Sequence, residues 1–154
     1  MRARATVSAL TVTAVVAADL FTKRWASRRF ADGPVSVIDG VLGFRFTENP
    51  GAAFSLLPDA GTFLAIAAVS VSIYLIVALR RERPWHETVG FSLVIGGALG
   101  NLVDRVARGD GFVDGKVIDW IDLGPIPTFN LADASISVAL AVIIIGSWRE
   151  KPRS

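Results

Sequence analysis

Four long apolar stretches limit what this chain can fold into. The clearest covers residues 60–79, twenty consecutive residues without a charged side chain. A helix needs about 20 mainly apolar residues to cross the hydrocarbon core of a bilayer. Hydrophobic residues make up 52% of the chain, and the mean hydropathy is +0.51. We therefore predict an all-α membrane protein, a single membrane-embedded domain over residues 1–154 with spans at about 5–22, 60–79, 88–104 and 131–148.

The first apolar stretch has two possible meanings. Arg2 and Arg4 precede an apolar run that contains small residues, a pattern that also occurs in cleavable signal peptides. A retained span is favoured because three further spans follow and the stretch ends in Asp19 and Lys23. These two residues are four apart and share a helix face, so they can pair. Taken alone, the pair favours an ion pair at the membrane boundary over a catalytic one.

The segment after the first span has an extended pattern. Residues 35–46, VSVIDGVLGFRF, contain two runs rich in β-branched and aromatic residues around Asp39-Gly40, which predicts a β-hairpin outside the hydrocarbon. Asn49-Pro50-Gly51 is a turn signal, and Gly51 with Ala52 and Ala53 would let another backbone approach closely. If this part has no role in a functional site, we interpret it as a loop that re-enters the membrane.

The third span carries both packing and polar signals. Gly96 and Gly100 have the spacing of small residues at membrane helix contacts, which is weak evidence because it is common. Asn101 and Asp104 share a helix face near the end of this span. The structural alternative is that Asp104 and Arg105 form a network that only holds the helix end.

The rare residue types exclude several kinds of site. The chain has no cysteine and one histidine, His86. A cysteine nucleophile, a thiolate metal site, a Ser-His-Asp triad and a multi-histidine metal site therefore cannot be built. We interpret His86 as a solvated loop residue. The net charge of +2 does not indicate a nucleic-acid partner, and the basic clusters at helix ends suit membrane lipid head groups.

The number of spans and the positions of the basic residues predict how the chain is oriented in the membrane. Four spans place both termini on one side, and the basic residues of the termini and of the connector after residue 79 are crowded close to the span ends. This density predicts cytoplasmic termini. It places the notable polar residues at or beyond the outer face: Asp19, Asn49, Asp104, Asp119, Asp122 and Asp133.

The aspartates at the outer face could form a pair of carboxylates that acts in catalysis. Three acids, Asp119, Asp122 and Asp133, lie within residues 116–135, next to the fourth span. Two carboxylates forced together share a proton, and the pair can activate a water and polarise a carbonyl. Asn101 and Asn130 could orient them. Spacing does not choose between Asp104 and Asp119 as the partner of Asp133, although Arg105 next to Asp104 modestly favours Asp119.

Two other interpretations remain open at this point. One is a serine protease with a Ser-Lys dyad, in which Ser135 or Ser55 pairs with Lys23 or Lys116. The other is a proton or ion pathway through intramembrane acids. The clustering of the acids at one face argues against the pathway.

Five motifs, in order, resemble those of the lipoprotein signal peptidase family, also called signal peptidase II. They extend from residue 19 to residue 135. They are DLFTK at 19–23, ENPGAAFS at 48–55, GALGNLVDR at 97–105, VIDWI at 117–121 and FNLADAS at 129–135.

The resemblance implies a bacterial inner-membrane aspartic endopeptidase with four helices and a small extracytoplasmic β-rich cradle. Such an enzyme removes the signal peptide from diacylglyceryl-modified prolipoproteins just before the lipidated cysteine, and we expect no metal, no cofactor and a monomer. The family's catalytic dyad maps onto Asp119 and Asp133. Its other motif positions, which position substrate or support the dyad, map onto Asp19, Lys23, Asn49, Gly51, Asn101, Asp104, Arg105 and Asn130.

The chain departs from the family pattern at three places. Leu20 stands where glutamine is usual, which removes a possible hydrogen bond near Asp19. Trp120 replaces the usual phenylalanine next to Asp119, so substrate fit or rate could differ. The connector between Arg105 and Val117 is longer than in many members.

Overall fold

The computed structural model describes residues 2–51, 60–109, 111 and 113–150. Helices and a small sheet alternate along the chain. In order, the elements are α1 (Arg2–Arg29), β1 (Val35–Ile38), β2 (Leu42–Asn49), α2 (Ala60–Ala78), α3 (Trp85–Ala107), β3 (Val117–Asp122) and α4 (Leu131–Arg149).

The helices α1 to α4 are each long and apolar enough to cross a membrane. Their outward faces carry large apolar side chains, such as Phe63 and Tyr74 of α2 and Trp148 of α4. In lipid, exposed apolar groups cost nothing, while the backbone groups of each span are satisfied within its helix. The predicted fold class, four spanning helices with a small sheet, is confirmed.

Two details of the predicted elements were wrong. The first helix continues beyond residue 22 to Arg29, because its last turns have a partner outside the apolar zone: Ala26 and Phe30 are buried against Trp120 of β3. His86 is not a solvated loop residue. Helix α3 starts directly after Pro84, and the half-buried His86 packs over Gly146 of α4, where a side chain would overlap its ring.

Helix α3 is the centre of the bundle, since α1, α2 and α4 all pack against it. Glycines make the close contacts possible. A Cβ atom at Gly96 would lie 2.7 Å from the Val15 side chain of α1, and one at Gly97 would lie 2.5 Å from the Ala132 carbonyl of α4. The small-residue pattern of the third span is therefore a packing surface, as predicted.

Gly97→Ala should separate α3 from α4. The added methyl would meet the Ala132 carbonyl and the Ser135 hydroxyl at 2.5 and 2.6 Å, and backbone cannot yield cheaply. We expect a loss of stability of about 1–3 kcal/mol and a lower cleavage rate, because the first turn of α4 would shift. Thermal inactivation in detergent measures the loss of stability. Ala141→Val on the exposed face of α4 is the control, and equal stability of the two variants would contradict the assignment.

The sheet has the strand order β1-β2-β3, and both pairings are antiparallel. The predicted hairpin around Asp39-Gly40 is present, and Gly40 has a φ of 70°, which favours glycine. In the second pairing Thr47 lies opposite Asp119, and Asn49 lies opposite Val117. The sheet therefore brings the end of β2 alongside the acid of β3.

Aromatic rings fasten this sheet to α1. The ring of Trp120 contacts those of Trp25 and Phe44, with centroids 5.5 and 5.6 Å away, and Phe30 stacks on Phe44. Such contacts add to the apolar area that the rings bury. They hold β3 firmly against the helices.

Candidate active site

Asp119 lies on β3 and Asp133 lies on α4, and Asn130 donates a hydrogen bond to each of these two carboxyl groups. The Nδ2 group of Asn130 donates to Asp119 Oδ1 at 2.7 Å, and its backbone N–H donates to Asp133 Oδ2 at 3.3 Å. Asn130 is also the N-cap of α4, because its Oδ1 accepts from the backbone N–H of Asp133 at 3.0 Å. This reciprocal capping box explains why an acid stands in the first turn of the helix.

Two more asparagines complete the shell around the acids. Asn49 Nδ2 donates to Asp119 Oδ2 at 3.0 Å, and Asn101 Nδ2 donates to Asp133 Oδ1 at 2.8 Å. A buried carboxylate is costly unless its oxygens are hydrogen-bonded. Amide donors satisfy the oxygens without contributing a charge, so each acid remains free to exchange a proton.

Each of these amides is locked in one orientation by a donor to its oxygen. Gly51 donates its backbone N–H to Asn49 Oδ1 at 3.1 Å, and Lys23 Nζ donates to Asn101 Oδ1 at 2.9 Å. The helix cap fixes Asn130 in the same way. Since the oxygens are engaged, the NH₂ groups must point to the acids.

Burial raises the pKa of Asp119 to about 6. Asp119 is only 3% exposed, and loss of hydration is the largest cause. The hydrogen bond from Asn49 lowers the pKa, the nearby charge of Asp133 raises it, and the bond from Asn130 lowers it again. The balance makes Asp119 a far better proton carrier near neutral pH than an ordinary aspartate.

Lys23 is the centre of a second, buried polar cluster. Its Nζ lies 2.7 Å from Asp19 and 2.9 Å from Asp104, and Lys23 and Asp19 are both fully buried. The predicted Asp19–Lys23 pair is present, but both side chains are fully buried in the protein instead of reaching toward the membrane surface. The ammonium reaches inward, where Asn101 connects it to Asp133.

Asp104 does not pair with Arg105, so the structural alternative for the end of the third span, an Asp104–Arg105 network, was wrong. One oxygen of Asp104 accepts from Arg108 at 2.8 Å, and the other faces Lys23 and accepts the backbone N–H of Ile118 at 3.2 Å. Arg105 instead donates to the Gly115 carbonyl at 3.4 Å. Residues 105 and 104 point in different directions on the helix, while 104 and 108 share a face.

Some of the contacts around the site were not predicted from the sequence. Arg108 is four residues after Asp104, a spacing that could have revealed the pair. The backbone N–H of Ala132 donates to Asp19 Oδ1 at 2.9 Å, a contact between α4 and α1 that has no sequence signal. Asp122, the third acid of the predicted group, pairs with Arg45 on the open side of the sheet.

The departures from the family pattern lie beside the acids. Trp120 is buried in the aromatic cluster, so the larger ring supports the sheet. Leu20 is half-buried. Ala52 and Ala53 lie outside the described residues. Within those described, no group of three or more His, Cys, Asp and Glu side chains is placed to hold a metal ion.

The residues of the Ser-Lys alternative are engaged elsewhere. Ser135 Oγ donates to the Ala132 carbonyl at 2.7 Å, and Lys23 is enclosed by acids. Lys116 lies 3.5 Å from Glu48, and Ser55 is outside the described residues. The acids that would form an ion pathway gather at one end of the helices instead of stepping through the bundle.

Comparison with known proteins identifies the family. The family described as "Signal peptidase (SPase) II" matches residues 11–149. This chain belongs to the signal peptidase II family. A lipoprotein signal peptidase of Rhodococcus jostii (strain RHA1) is 40% identical over 133 residues, which are 85% of this chain and 67% of the relative. One of Bifidobacterium longum (strain DJO10A) is 37% identical over 146 residues, which are 94% and 80%.

A solved structure supports the fold of this signal peptidase II member. A bacterial membrane enzyme structure obtained by the in meso method at 2.3 Å resolution superimposes with a TM-score of 0.81 at 29% identity, covering 97% of this chain and 94% of that one. The predicted family is therefore confirmed. The protein is a multi-pass membrane protease of the aspartic type that processes the signal peptides of prolipoproteins.

Proposed function

We propose that Asp119 and Asp133 are the catalytic dyad of this protease. The observation that carries the proposal is the hydrogen bonding of both carboxyl groups to Asn130, which holds an acid of the sheet beside an acid of the helix. Asp104, the other candidate partner, is engaged by Lys23 and Arg108. Asp119 is therefore the better partner for Asp133.

The reaction needs one proton on the pair. Asp119, with its raised pKa, carries the proton and donates it to the oxygen of the scissile carbonyl. Ionised Asp133 removes a proton from a water, whose oxygen attacks the carbonyl carbon and forms a tetrahedral intermediate. The proton on Asp133 then passes to the leaving nitrogen, the C–N bond breaks, and Asp119 recovers its proton from the collapsing intermediate.

The remaining predicted site residues act through the dyad. Asn49, Asn101 and Asn130 orient the acids, and Gly51 and Lys23 orient the first two of these amides. Asp19 and Asp104 neutralise Lys23, and the Asp104 contact to Ile118 holds β3. Arg105 ties α3 to the connector before β3.

The substrate is a prolipoprotein whose cysteine already carries diacylglycerol, and cleavage occurs just before that cysteine. In this arrangement the chain is a single membrane-embedded domain over residues 1–154 of the bacterial inner membrane, acting as a monomer. Its termini are cytoplasmic and the dyad lies near the extracytoplasmic face. The two acyl chains enter the bilayer beside the helices, where each buried CH₂ contributes about 0.8 kcal/mol.

A lipidated substrate and a matched one without lipid test this proposal. Purified enzyme is given a prolipoprotein with the diacylglyceryl cysteine or with the same cysteine unmodified, and the product masses are measured. We expect cleavage before the lipidated cysteine and a value of kcat/KM at least about 10³-fold lower without lipid. Equal cleavage of both would contradict the substrate assignment.

Ser135→Ala should remain active, and its inactivation would favour the Ser-Lys alternative.

The pKa of Asp119 gives the sign of the pH dependence. A raised pKa means that the folded state keeps the proton up to about pH 6. We expect kcat/KM to fall about tenfold for each pH unit above the pKa. The free energy of unfolding should also fall as the pH rises from about 4 to 6, because the folded state holds the proton of Asp119 more tightly than the unfolded state does. Asp119→Asn should lack this fall. A rate that rises steadily from pH 6 to 9 would exclude Asp119 as the acid.

A further inference from the structure

A cavity lies between α1 and α2, far from the acids. Its volume is about 710 Å³. Ala9 and Val12 of α1 form one wall, Ile76 of α2 and Leu79 just after it form the other, and Ile95 and Leu99 of α3 form the floor. We call it the α1–α2 groove. Because α1 and α2 each pack on α3, the groove follows from the way the bundle is built.

The mouth of the groove is strongly basic. Arg2 and Arg4 border it on α1, Arg80 and Arg81 follow the end of α2, and Glu82 is the one acid among the described residues that line it. The guanidinium of Arg4 lies over the ring of Trp85, 5.3 Å from its centroid. Helix α1 begins here, α2 ends here and α3 begins here, so the basic mouth lies at a membrane surface.

The groove is separate from the catalytic site. Arg4 and Asp19 both lie on α1, fifteen residues apart, so about 22 Å of helix separates the basic mouth from the polar cluster. No residue of the dyad or its asparagine shell lines the groove.

The size and charge of the groove decide what fits. A spanning helix is about 10 Å wide, and one docked in the groove would bring its end against the arginines at the mouth. The basic start of a signal peptide would also meet four arginines of the same charge. An acyl chain is narrow enough for the apolar part, and a phosphate suits guanidinium groups at the mouth.

We propose that the α1–α2 groove binds one anionic phospholipid. One acyl chain lies along α3 between Val12 and Leu79, and the phosphate contacts the arginines of α1 and those after α2. Bound in this way, the lipid fills a space between two helices that the described residues leave open, and it stabilises the positions of these helices on α3.

Lipid binding in detergent tests the proposal without leaflet effects. Native mass spectrometry counts phosphatidylglycerol or phosphatidylcholine bound to the purified protein at equal lipid concentrations. We expect one phosphatidylglycerol to be retained and phosphatidylcholine to be lost. Arg80→Gln/Arg81→Gln should weaken phosphatidylglycerol binding at least about tenfold. The matched control Arg28→Gln/Arg29→Gln, an exposed basic pair at the other end of α1, should bind normally.

A second pair of variants tests the acyl chain. Ala9→Phe fills the groove and should abolish retention, while Ala14→Phe, on an exposed part of α1 that does not line the groove, should not. Prolipoprotein cleavage by each variant shows that it is folded. Equal retention of the two lipids, or equal binding by the variants and their controls, would overturn the proposal. So would a higher KM for prolipoprotein in Ala9→Phe with lipid retention unchanged, because the groove would then bind substrate.

Discussion

Asp119→Asn and Asp133→Asn are each expected to lower kcat for a diacylglyceryl prolipoprotein by at least about 10³-fold. Asparagine keeps the size of aspartate and can still bond to Asn130, but it can neither hold nor accept the transferred proton. The loss should appear in kcat, with little change in KM, because neither acid contributes to binding the acyl chains. Product release from purified enzyme in detergent measures both parameters.

The matched control for these variants is Asp122→Asn. Asp122 belongs to the same strand as Asp119, but it is partly exposed and pairs with Arg45 instead of an asparagine. Its loss should change kcat less than about twofold, since exposed ion pairs contribute little. A fully active Asp119→Asn would move the role of partner acid to Asp104, and Asp104→Asn would then have to be inactive.

Lys23→Met should have the largest effect on stability. The ammonium is fully buried between Asp19 and Asp104, and removing one partner of a buried ion pair costs about 3–5 kcal/mol. The temperature of inactivation should fall by about 10 °C. The kcat should fall as well, because Asn101 loses the donor that fixes its oxygen and can turn away from Asp133.

A second substitution separates these two effects. Asp104 keeps Arg108 when Lys23 is lost, whereas Lys23 is the cationic partner of Asp19. Asp19→Asn in the Lys23→Met background should therefore recover much of the stability without restoring kcat. Arg24→Gln, one residue along α1 and exposed, is the control. If Lys23→Met is as stable as Arg24→Gln, the buried cluster does not stabilise the fold as described.

Local patterns predicted much of this fold. The uncharged run at 60–79 indicated a span, Asp39-Gly40 indicated the hairpin turn, and the spacing of Gly96 and Gly100 indicated helix contacts. Each of these signals depends on residues close in sequence. The order of the five motifs indicated the family, and the capping box of α4 could have been found from Asn130 and Asp133.

The sequence could not reveal which polar groups meet across the bundle. Lys23 and Asn101 are 78 residues apart, and Asn49 and Asp119 are 70 apart. Such contacts depend on how α1 and the sheet pack against α3. The burial of Lys23 was missed for the same reason, because a lysine near the end of an apolar stretch resembles one that reaches for the membrane surface.

Infrared titration of the carboxyl groups is the most direct test of a proton shared by Asp119 and Asp133. We expect one carboxyl C=O band that disappears with a pKa of about 6 and is absent in Asp119→Asn. In Asp133→Asn the same band should titrate at lower pH, because the neighbouring negative charge that raises the pKa of Asp119 has been removed. An Asp119 titration that Asp133→Asn leaves unchanged would contradict the shared proton, and with it the proposed mechanism.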